Sequence, residues 1–98
     1  MKLQWTRAAC RDLTEARYYI AEDDPQAAQQ LAQKILAAID EILQFPKIGK
    51  RGRRRNTQEF AVPSTPYLII YRIKDSKTPT IQILRVYHGR RRWPPKRR

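Results

Sequence analysis

Arg72, Arg85, Tyr87, His88 and Arg90 are the residues of this chain that can act on a phosphodiester, with Glu59 as a second proton acceptor. RNA carries its own nucleophile in the 2′-hydroxyl. Cleavage without a metal therefore needs a base to take that proton, cations to stabilise the charge that builds on the phosphoryl group, and an acid to protonate the leaving oxygen. Arg72, Arg85 or Arg90 can meet the charge, and His88 or Glu59 can move the proton. The same set can hold a phosphate backbone without breaking it. His88 can equally be a hydrogen-bonded structural histidine at a strand end, and Tyr87 and Trp93 can anchor the tail by packing as readily as they can stack on bases.

Other chemistries lack their residues. The sequence has no glycine-rich phosphate loop, no Cys/His cluster of metal spacing and no Ser/His/Asp set, and it holds one histidine and one cysteine. A zinc site would draw on carboxylates that its basic half barely supplies. Neither metal nor cofactor is expected.

Charge is segregated along the 98 residues. The net value is +12, yet residues 1–46 carry five Lys/Arg against seven Asp/Glu, and residues 47–98 carry sixteen against two. Such a field attracts nucleic acid, anionic membrane or an acidic protein and says nothing about fold. Its cations fall in two clusters. The first is Arg53, Arg54 and Arg55 within KIGKRGRRRN (residues 47–56); the second is Arg90, Arg91 and Arg92, next to Tyr87, His88 and Trp93. These nine are the expected target-binding residues. Cys10 stands alone, which fits a reducing compartment. Its place among helical residues predicts a small buried or half-buried thiol. The lack of a membrane-length apolar run or a signal-peptide pattern predicts a cytoplasmic protein with no membrane partner.

The elements that must position these side chains read as follows. Leu3 and Trp5 alternate with Lys2 and Gln4 as a short first strand, at an edge or beside the last strand. Thr6 caps a helix whose Ala9, Leu13, Ala16 and Ile20 share a face and which ends near Ala21, with Arg7, Arg11, Asp12 and Glu15 on the wet side. Asp24 and Pro25 restart a second helix to about Gln44, striped by Leu31, Ile35, Ala38 and Ile42. Residues 47–56 read as an exposed basic loop.

Three strands follow, at residues 58–62, 67–73 and 80–87, joined by turns at 63–66 and 74–79. Pairing about these turns sets Val62 near Tyr67 and Ile73 near Ile81. One face then gathers Phe60, Val62, Tyr67, Ile69, Tyr71, Ile73, Ile81 and Ile83 against the helices. Glu59, Leu68, Ile70, Arg72, Gln82, Leu84, Val86 and His88 form the open face. The fold class is α+β: a short N-terminal strand, an antiparallel helical hairpin and a three-stranded antiparallel C-terminal meander. Residues 1–98 form one domain, with 94–98 a mobile basic tail.

Order and motif together resemble the RelE/ParE superfamily of toxins from bacterial type II toxin–antitoxin modules. The resemblance rests on the strand ending in Trp5, CRDL at residues 10–13, YYIAEDDPQAA at 18–28, FPKIG at 45–49, VPSTPYLIIYRI at 62–73 and ILRVYHGRRRWP at 83–94. The last two are the specific ones, and they look like the ParE branch. Such membership implies a toxin silenced by a cognate antitoxin with an acidic or amphipathic segment, in a hetero-oligomer. In the ParE branch the implied target is DNA gyrase, poisoned without intrinsic enzymatic activity. In the RelE branch it is mRNA in the ribosomal A site, cut by the toxin. Tyr67 stands where ribosome-dependent nucleases tend to place a basic residue. Tyr87 and His88 lie near the family's C-terminal catalytic positions, while Arg72 and Glu59 have no match, which favours the ParE-like reading. A nontoxic basic module that binds DNA or RNA is the alternative from another class.

Overall fold

A computed structural model describes residues 1–74 and 77–89 of the chain. Strand β1 (Lys2–Trp5) leads into helix α1 (Arg7–Ala21), and helix α2 (Pro25–Gln44) follows; then come strands β2 (Lys50–Arg51), β3 (Gln58–Ala61), β4 (Tyr67–Lys74) and β5 (Thr80–His88). Both helices start where local chemistry dictates. The Thr6 hydroxyl accepts from the Ala9 N–H, and the Asp24 carboxylate accepts from the Ala27 N–H with Pro25 in the first turn. Each cap satisfies a donor that has no partner within the helix.

The five strands form one sheet in the order β1-β5-β4-β3-β2. β3, β4 and β5 make the expected antiparallel meander, with Val62 N–H bonded to the Tyr67 carbonyl and Ile73 opposite Ile81. β1 takes an edge and pairs parallel to β5, Leu3 beside Ile81 and Trp5 beside Ile83. The second edge was not expected. Lys50 and Arg51 of the basic segment pair with Glu59 and Gln58 as β2. A two-residue cationic strand has no apolar alternation to betray it, and its short, charged form suits an edge that must not recruit another chain.

The core lies between the sheet and the helices. Ile35, Ile39, Ile42, Ile69, Ile81 and Ile83 are fully buried there, each stabilising the fold by roughly 1.5–3 kcal/mol relative to exposure. Tyr71 is also fully buried. Its hydroxyl accepts from the Gly49 N–H at 3.0 Å and donates to the Pro46 carbonyl at 2.7 Å, which ties the turn after α2 to the sheet.

Three expectations need correction. Between the Ile70–Arg85 and Tyr71–Ile83 pairs, β5 holds one more residue, Leu84, than β4 does. This bulge reverses the inward/outward phase, so Val86 joins the helix-side core and His88, expected on the open face, turns with Tyr67 toward α1, while Leu84, Ile70 and Tyr87 cluster separately. Asp12 is turned inward with its side chain 10% exposed. Cys10, expected buried or half-buried, is exposed.

Candidate functional site

The bulge builds the first of two candidate regions. Beyond Trp5 the first strand stops accompanying β5, and Thr6 takes over: its N–H donates to the Ile83 carbonyl, and its hydroxyl lies 2.9 Å from the Leu84 carbonyl. Six residues on along α1, Asp12 accepts from the Val86 N–H at 3.0 Å and from Arg85 Nε and Nη2 at 2.7 and 2.9 Å. The Asp12 carboxylate holds the Arg85 guanidinium above its ordinary value. Arg85 also lies over the Tyr87 ring, 5.1 Å from its centroid. Tyr87 itself is 8% exposed.

His88 lies across from Tyr67 in the strand register, and the two rings meet edge to face at 5.2 Å. Both line a hollow of about 500 Å³ between α1 and the end of β5, with Asp12, Glu15 and Tyr19 on its other wall. Tyr19 is 76% exposed.

The second region is at the opposite end of the sheet. The chain between β2 and β3 is drawn into a closed loop: the Gly52 N–H donates to the Thr57 carbonyl at 2.8 Å, and the Thr57 hydroxyl donates to the Arg54 carbonyl at 2.6 Å. Asn56 completes the turn at φ 60°, a left-handed conformation that asparagine tolerates better than most residues. Glu59 accepts from the Arg53 N–H and from its guanidinium, each at 3.0 Å. Against this loop lies the last part of β4. There Arg72 Nε donates to Gln82 at 2.6 Å, and Lys74 Nζ and Gln82 Nε2 both donate to Gln4. Arg51, Arg53, Arg54, Arg55, Arg72 and Lys74 thereby face an open cleft of about 1090 Å³.

These positions divide the residues singled out in the sequence. Tyr87 and His88 share the end of β5, with Arg85 behind them. Arg72 is five residues along β4 from Tyr67, the partner of His88, a span of about 17 Å at ordinary strand rise. Glu59 is occupied in holding Arg53. Arg53, Arg54 and Arg55 gather with Arg72 at the other end. Arg90, Arg91, Arg92, Trp93 and the 94–98 tail lie outside the described residues. Asp12, Tyr67, Arg51 and Lys74 had been missed as site residues. For Asp12 a signal existed: it sits three residues after Ala9 and four before Ala16, on the buried face of α1, where an acid requires a cation. Among the described residues no group of acids, cysteines and histidine could hold a metal ion, and no helix is long and apolar enough to cross a membrane.

Two helices over a five-stranded mixed sheet is an arrangement shared with solved structures. The structure resembles the chromosomal ParDE toxin–antitoxin system of P. aeruginosa at TM-score 0.80 and 24% identity, covering 90% of this chain and 95% of that one. It also resembles a YoeB/ParE toxin from Agrobacterium tumefaciens at TM-score 0.63 and 17% identity, covering 90% and 98%. The chain belongs to the ParE toxin family of type II toxin–antitoxin systems (parDE), whose model matches residues 3–93. It is 37% identical to the candidate toxin Y4kP of Sinorhizobium fredii over 95% of this chain and 93% of that protein. Toxin RelE2 of Caulobacter vibrioides is 33% identical over 89% of this chain and 93% of its own length.

Proposed function

We propose that this member of the ParE toxin family poisons DNA gyrase, so that cleaved DNA accumulates, and that it has no enzymatic activity of its own. A cognate antitoxin with an acidic or amphipathic segment silences it. The observation that carries this reading is the scatter of the nuclease candidates. Arg72 is about 17 Å along the sheet from the partner of His88, and Arg85 is committed to Asp12. Tyr87 is packed beneath the Arg85 guanidinium. No single phosphodiester can meet Arg72 and His88 together, whereas a presented basic surface needs no such convergence.

Purified toxin added to gyrase and negatively supercoiled plasmid is expected to trap cleaved complexes, visible as linear DNA after detergent and protease. Intact plasmid and normal supercoiling activity at saturating toxin would exclude the reading. A second reading, ribosome-dependent mRNA cleavage, draws on Tyr87 and His88 lying side by side at the end of β5 and on the relative named toxin RelE2. It requires codon-phased cuts in mRNA after induction.

A further inference from the structure

We propose that the cleft between the β2–β3 loop and the end of β4 binds the phosphodiester backbone of duplex DNA, without reading sequence. Three observations carry this. First, six cations converge there from three parts of the chain: Arg51 of β2, Arg53, Arg54 and Arg55 of the loop, and Arg72 and Lys74 of β4. Each released counterion adds to the affinity of such a surface for a polyphosphate.

Second, the frame is fixed before any ligand arrives. The Gly52–Thr57 and Thr57–Arg54 bonds hold the loop closed, Glu59 orients Arg53, and Gln82 and Gln4 hold Arg72 and Lys74. Gly52 suits this closure, because a Cβ there would collide with the Thr57 hydroxyl and press on the Thr57 backbone. Cations held in place lose less freedom on binding than those on a mobile loop.

Third, among the described residues the lining contains arginine, lysine, asparagine, threonine and glutamine side chains with Ile73, and no aromatic ring. Unpaired bases are bound by stacking on aromatic faces. A rigid cationic cleft without them suits a duplex, whose bases are turned inward and whose phosphates are outside. On the gyrase reading proposed above, and resting on it, the duplex is the segment the enzyme holds.

The test is fluorescence anisotropy with a labelled mixed-sequence duplex of about 20 base pairs, long enough to span several phosphates, titrated with the full chain over a range of salt. The double substitution Arg54→Ala/Arg55→Ala is expected to weaken binding about tenfold or more and to lower the slope of log affinity against log salt by about 2. The charge-matched Arg11→Ala/Arg17→Ala, on the exposed side of α1, is expected to leave the slope within about half of that change. Arg54→Lys/Arg55→Lys is expected to restore most of the affinity, which separates lost charge from lost fold. Equal weakening by both alanine pairs, or by neither, overturns the proposal. So does preference for single-stranded RNA of the same length over the duplex. No gyrase is present in this measurement, so a failed gyrase assay leaves it standing. Gyrase poisoning that survives the loss of duplex binding removes the cleft and keeps the gyrase reading.

Discussion

Asp12 on α1 accepts from Nε and Nη2 of Arg85 on β5, at 2.7 and 2.9 Å, and from the Val86 N–H at 3.0 Å with the same carboxylate. Three donors converge on one acid at the place where β1 has ended and the edge of β5 would otherwise be left open. The relation follows from the bulge at Leu84, which carries Val86 into the core and leaves its neighbour Arg85 able to reach the helix. A helix face, a strand edge and a guanidinium are thus joined at a single residue.

Removing that acid should therefore be costly. Asp12→Ala leaves a guanidinium that is only 28% exposed without its counter-ion and an edge N–H without its acceptor. Loss of about 3 kcal/mol is expected in urea unfolding. In a double-mutant cycle with Arg85→Met, coupling of more than about 1 kcal/mol is expected. Purely additive effects would show that the pair contributes nothing beyond its separate contacts.

Tyr71 gives the fold a sensitivity to alkali. Burial raises its phenol above the ordinary 10.0, with the Gly49 N–H acting in the opposite direction. The neutral phenol is thus favoured in the fold. Its contribution is fully present below the unfolded value and falls as pH rises from about 10 through the folded value, because the unfolded chain then binds fewer protons. Tyr71→Phe should lose about 1–3 kcal/mol near neutrality by orphaning the Pro46 carbonyl and the Gly49 N–H. It should also flatten the decline above pH 10. An unchanged alkaline slope by thermal melts would assign that decline to other groups.

Much of this architecture could be read from residue order. The caps at Thr6 and Asp24, the limits of both helices and the meander with Val62 near Tyr67 all rest on local signals, namely hydroxyl or carboxylate caps, periodicity and turn residues. What escaped was non-local. The bulge at Leu84 depends on how β4 and β5 meet and leaves no mark in an apolar run, so Val86 and His88 fall on the face opposite to the expected one. β2 exists because Glu59 and Gln58 lie opposite Lys50 and Arg51, which cations alone do not announce. The distance between Arg72 and His88 is likewise a product of strand direction. The basic cluster of Arg53, Arg54 and Arg55 stands at the opposite end of the sheet from Tyr87 and His88.

Gly52→Ala separates the shape of the basic loop from its charge. The added Cβ would collide with the Thr57 hydroxyl and crowd the Thr57 backbone at 2.9 Å, so Thr57 must shift away from its present place in the loop. A stability loss of about 1–3 kcal/mol is expected, together with weaker duplex binding at an unchanged net charge. If anisotropy shows the affinity of the parent chain, closure of the loop is irrelevant to binding.

His88→Ala separates the two toxin readings at the residue on which they differ most. His88 packs edge-on against Tyr67 at the mouth of the hollow beside α1, and losing that ring contact should lower stability by about 1 kcal/mol. A gyrase poison does not use the imidazole to move a proton. Growth arrest on induction is therefore expected to persist, with plasmid cleavage still dependent on gyrase and no codon-phased cuts in mRNA. Were the imidazole a general acid or base, the same substitution would slow cleavage by about 10²–10⁴-fold. A variant that remains folded by circular dichroism and loses all toxicity together with phased mRNA cuts would establish the nuclease and overturn the gyrase assignment. Arrest that survives unchanged leaves His88 as a packing partner of Tyr67.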